Sequence, residues 1–155
     1  MANRANMTYH IQNQLADKDG IFAGKILEKE VTLTSAEILA LYTTPKTLVA
    51  APGSGKVLQF AGAVGFLDFN TTAYDTAGIL TVKYTDGSGT AVSDAVAAAA
   101  LCNQADDCYE EFAKTTAETE LTVNAALVLT CDSANPASGD SILTIKIFYR
   151  ILDFN

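Results

Sequence analysis

"SILTIKIFYRIL", residues 141–152, decides the fold class. Leu143, Ile145, Ile147, Tyr149 and Ile151 recur at every second position, with Thr144, Lys146, Phe148 and Arg150 between them. Successive side chains of a strand point to opposite faces, so this spacing predicts a long strand with an apolar side. A helix of the same length would scatter these residues around its axis. "GILTVKYTDGSG", residues 78–89, repeats the pattern. Ile79, Thr81, Lys83 and Thr85 fall on one side, and Leu80, Val82 and Tyr84 on the other, before the turn signal Asp86-Gly87.

Working outward, "KTLVAA" at 46–51, "KVLQFAGAVGFLDF" at 56–69 and "LTVNAALVLT" at 121–130 read as further strands. Asn135-Pro136 to Ser138-Gly139 turns the chain into the last strand. Between two of the strands lies "LVAAPGSGKVLQF", residues 48–60, which has the look of a phosphate-binding loop. That loop requires G-x-x-x-x-G-K-[ST] opening a helix, so that amides, lysine and hydroxyl converge on phosphates and Mg²⁺. Here Ala50 replaces the first glycine, Val57 replaces the hydroxyl, and strand-like residues follow. The stretch is therefore read as a tight turn built by Pro52, Gly53 and Gly55.

Two short helices are expected. "TSAEILAL" begins with a capping box at Thr34 and Glu37, and Pro45 ends it, which places a helix near residues 35–41. "SDAVAAAAL" joins a capping Ser93 to an alanine run, which places a second near residues 94–101. Beyond it a strand is expected near Tyr109, and Asp106, Asp107, Glu110 and Glu111 are read as a solvated acidic face, since they lack calcium-loop spacing. Residues 1–30 differ from the rest. They are polar, with spaced apolar anchors, and Arg4, Lys18, Lys25 and Lys29 cancel Asp17, Asp19, Glu28 and Glu30. The division expected is an N-terminal arm over 1–30 and a β-sandwich domain over 31–155, with Tyr9, Ile11, Leu15, Ile21 and Phe22 as the partner-binding residues of the arm.

The chain has 155 residues, 49% apolar, with a formal net charge of −8, all of which sits on residues 31–155. That length supports one core. The acidity argues against nucleic-acid and anionic-membrane partners. No apolar run is long enough for a spanning helix, and the N-terminus has no secretory core, so assembly in a cytoplasm is expected. Cys102, Cys108 and Cys131 are an odd set. Free thiols are expected, with a local Cys102–Cys108 bridge as the alternative. No metal, cofactor or catalytic residue is expected: His10 is the only histidine, and neither a nucleophile elbow nor a C-x-x-C motif is present.

"SAEILAL", "TPKTLVAAPGSGKV" and "TAYDTAGILTVKYTDG", spanning roughly residues 31–93, together resemble small virion proteins of tailed bacteriophages. The resemblance implies a jelly-roll-type β-sandwich without enzymatic activity, located in the virion. It implies a capsid decoration or cement role, as a homotrimer bound to the major capsid protein. A fibre, tail or host-recognition module binding a receptor or glycan is the alternative.

Overall fold

A computed structural model describes residues 25–76, 78–116 and 120–154. Eight strands follow one another: β1 Leu27–Leu33, β2 Lys46–Val49, β3 Lys56–Asp68, β4 Ile79–Tyr84, β5 Val96–Ala97, β6 Cys108–Phe112, β7 Leu127–Cys131 and β8 Ile142–Asp153. Helix α1, Ser35–Ile38, joins β1 to β2. All strand pairs are antiparallel, in two four-stranded sheets ordered β1-β8-β3-β6 and β2-β7-β4-β5. The expected β-sandwich is present. The first and last strands pair, as do the second and seventh, third and sixth, and fourth and fifth.

One core lies between the sheets, and every strand supplies it: Leu33, Leu48, Phe60, Val82, Val96, Phe112, Leu129 and Ile145 are all buried. The alternation in β8 holds, since Leu143, Ile145 and Ile147 have no exposed surface. Tyr149 is half-buried against the same core, and only Ile151 at the strand end emerges. In β4 Leu80, Val82 and Tyr84, which share one side as expected, face the core.

β3 breaks its own period. Leu58 and Phe60 face the core, then Ala63, Gly65 and Leu67 do, so the inward parity switches from even to odd. The ladder with β8 shows the cause. Phe60 opposes Tyr149 and Gly62 opposes Phe148, leaving Ala61 without a partner as a bulge. Gly62, at φ +152°, takes the backbone through it.

Three expectations about helices and strands need correction. The alanine run is not an α-helix. Val96–Ala97 pairs with Ile79 and Leu80, and Ala98–Ala100 is a single 3₁₀ turn. Ala98, Leu101 and Cys102 are buried there, and that packing overrides alanine's helix propensity. Ser93 is no helix cap: its hydroxyl accepts the Val82 amide at 2.9 Å. The stretch 121–130 is strand only from Leu127, because Asn124 at φ +52° interrupts it and Val123 makes a lone bridge to Val57. The first strand starts at Leu27. The strand near Tyr109 is β6, and the capping box at Thr34 forms with both of its reciprocal bonds. α1 is shorter than the expected 35–41, with turns carrying the chain on to Thr44.

Candidate functional surface

The glycine-rich turn is already occupied by the protein itself. Gly53 and Gly55 sit at φ +104° and +72°. The Gly53 amide donates to Asn124 Oδ1 at 2.9 Å, the Lys56 amide to Gly53 O at 3.2 Å, and Lys56 Nζ lies 3.4 Å from Asp153 Oδ2. The two flanking strands are β2 and β3, which belong to different sheets. The turn therefore carries the chain from one sheet to the other, and a strand follows it where a phosphate site needs a helix N-terminus.

The acidic segment is partly structural. Asp107 Oδ1 accepts the Phe69 amide at 2.9 Å, which holds the end of β3, while Asp106 and Glu111 face solvent. Among the described residues no group of three or more His, Cys, Asp or Glu side chains is placed to hold a metal. All three cysteines are free. Burial pushes the Cys102 thiol up to about 12. Burial also raises Cys131, and it raises Cys108 with help from Glu110 and Asp107. At neutral pH these are protonated thiols, which are weak nucleophiles.

A groove of about 480 Å³ opens on the outside of the β2-β7-β4-β5 sheet, lined by Tyr42, Pro45, Lys83, Asp86, Thr130 and Asp132 among others. Its rim is set by hydrogen bonds between side chains and the backbone. The Tyr42 and Thr43 amides donate to Asn135 Oδ1 at 2.9 and 3.2 Å, and Lys83 Nζ donates to Gly87 O at 2.7 Å. The Asp86 carboxyl is held below the usual carboxylate range, chiefly because it accepts the Ser88 hydroxyl and amide, both at 2.8 Å. Tyr42 is 48% exposed at this rim.

The opposite outer face, on β1-β8-β3-β6, is apolar at its centre. Phe66 on β3 stacks on Tyr109 of β6 with ring centroids 4.6 Å apart. The register sets Val64, Ile142 and Phe148 on the same side of the sheet as this pair. Tyr109 is 69% exposed, Ile142 42% and Val64 37%. Sequence reasoning missed this face. Its one legible trace was Phe148 among the polar residues of β8; Phe66 and Val64 were hidden because the bulge reverses the parity of β3. The arm residues Tyr9, Ile11, Leu15, Ile21 and Phe22 lie outside the described residues.

No helix among the described residues is long and apolar enough to cross a membrane. No family model and no curated protein matches this chain. Among solved structures, a chain of the cyanophage Pam1 capsid asymmetric unit is similar at 16% identity, over 83% of this chain and 86% of that one, with a TM-score of 0.46. The chain thus has a distant structural neighbour in a cyanophage capsid.

Proposed function

We propose that this chain is a non-enzymatic virion structural protein of a tailed bacteriophage, a decoration or cement subunit that binds the major capsid protein as a homo-oligomer. The joint observation that carries the reading is local. The stretch 31–93, read above as resembling phage virion proteins, forms the last three residues of β1 and the whole of α1 and β2–β4 in an eight-strand winding. The strand order supports a jelly-roll type. First-with-last, second-with-seventh, third-with-sixth and fourth-with-fifth pairing is what a single antiparallel ribbon makes when it is rolled into two sheets. A fold by itself hosts many functions, so the sequence resemblance bears the functional weight. Tyr9, Ile11, Leu15, Ile21 and Phe22 are proposed as contacts to virion partners, because they are apolar anchors on the charge-balanced part of an otherwise acidic chain.

The groove beside Tyr42 favours a second reading, host recognition. An exposed tyrosine beside Asp86, Asp132 and Lys83 offers a stacking surface and polar partners of the kind a sugar ring uses. Immunogold microscopy of virions of the encoding phage separates the two. Regular labelling over the shell is expected. Label confined to tail or fibre tips supports host recognition and sinks the decoration role, and unlabelled virions sink both.

A further inference from the structure

We infer that the outer face of the β1-β8-β3-β6 sheet is the docking site for the chain's own N-terminal segment, residues 7–15, in the free subunit. The face has an apolar centre of Phe66, Tyr109, Val64, Phe148 and Ile142, on which Tyr109, Ile142 and Val64 remain exposed. Its rim is acidic. The outward positions carry Glu28, Glu30, Asp68 and Glu111 against Lys146 and Arg150, and Lys146 is already shared by Glu28 and Glu30 at 3.8 and 3.5 Å. Two copies of such a face repel at their rims, which disfavours a face-to-face dimer.

Residues 1–16 have the complementary chemistry. They carry Arg4 and His10 and no carboxylate; the first acid is Asp17. Met7, Tyr9 and Ile11 alternate with Thr8, His10 and Gln12, and Leu15 continues the apolar side. An extended segment of that pattern presents an apolar row to a sheet face and keeps its polar row in water.

Geometry allows the segment to reach its own sheet. β1 opens at Leu27, which pairs with Tyr149, itself opposite Phe60, whereas Tyr109 lies opposite Phe66. The way from Leu27 to Tyr109 is three strand spacings across and about six residues along, roughly 23 Å on the diagonal. The link over residues 16–26 spans up to ~36 Å when extended. A tethered segment that reaches its site sees it at an effective concentration in the millimolar range, so its own copy outcompetes a neighbour's at ordinary protein concentrations.

The test uses the full chain with ¹³C-labelled isoleucine methyl groups. Nuclear Overhauser contacts are expected between the Ile11 methyl groups and the rings of Tyr109 and Phe66. A second variant, Tyr9→Asp with Ile11→Asp, should shift the amides of residues 64, 66, 109 and 148 and leave those of β4 and β7 in place. It should also raise the fluorescence of an apolar-surface dye at least threefold. Absence of both the contacts and the shifts overturns the proposal. So do contacts that appear only between labelled and unlabelled copies in a mixed sample, since the occupant is then a second copy. None of these readouts involves a virion, so they stand apart from the assignment of function.

Discussion

Gly139, at φ +129°, lies under the ring of Tyr74, where an added Cβ would come within 2.1 Å of Cδ1. Tyr74 is 2% exposed and donates its hydroxyl to Ser141 O at 2.6 Å, so the ring has nowhere to retreat. Gly139→Ala therefore combines left-handed strain with a steric clash. A loss of about 3 kcal/mol of stability is expected in urea unfolding. Had the ring room to swing aside, the loss would be near 1 kcal/mol, the strain alone. The glycine was legible as a turn residue from Asn135-Pro136 onward, but not the ring above it. That contact joins residues 65 positions apart in a sequence that marks only local turn chemistry. Tyr84 shows the same limit: its place on the inward side of β4 was legible, whereas its hydroxyl's bond to Leu58 O, across the two sheets, was not.

At the level of the element, β3 is the informative case. A one-residue shift in a strand exchanges its two faces. In β3 the extra residue, Ala61, restores the faces because the apolar residues before and after it have opposite parity. Deleting Ala61 should therefore join Phe60 to Gly62 in a regular ladder and keep a folded protein, with its unfolding free energy in urea changed by about 1–2 kcal/mol or less. Deleting Val64, in the regular part of the strand, should turn Leu58 and Phe60 outward and yield no cooperative transition. Equal tolerance of the two deletions would show that the bulge does not set the faces. The stretch 94–101 teaches a different lesson. Propensity favours a helix there, but Val96, Ala98 and Leu101 are claimed by the core, and burial of side chains outweighs the few tenths of a kcal/mol per residue that propensity offers.

For the molecule as a whole, two carboxylates tie the loop over residues 69–76 to the loop over 132–141. Asp140 accepts the Thr71 hydroxyl and the Thr71 and Thr72 amides, the latter two at 3.1 and 2.8 Å. Asp75 accepts the Ala137 and Ser138 amides at 2.8 and 3.2 Å. These bonds favour the ionised forms. Asp140 is held below the usual 3.8, chiefly by the Thr71 hydroxyl, and Asp75 is lowered chiefly by the Ser138 amide. A carboxyl lowered in the fold contributes stability above its unfolded pKa, and that contribution is lost as pH falls through the folded value. The melting temperature should hold steady from neutral pH to about 5 and drop below about 4. Asp140→Asn, which keeps an oxygen acceptor without the charge, should flatten part of that acid limb. A limb unchanged in both Asp140→Asn and Asp75→Asn would assign acid sensitivity to other groups.

The class of fold was legible in local pattern alone. Period-two patterning, turn residues and a capping box are local, and each is a direct consequence of backbone geometry acting over a few residues. The departure of the glycine-rich turn from the phosphate-loop motif was equally legible, because that motif needs particular residues at particular spacings and Ala50 and Val57 are not among them. Which strands share a sheet, where β3 changes face, and that the alanine run belongs to the core emerge only in three dimensions. So does the gathering of Phe66, Tyr109, Val64 and Phe148 onto one outer face. Those outcomes depend on long-range pairing and on burial, which reward contacts between residues tens of positions apart and leave no periodic trace in the chain.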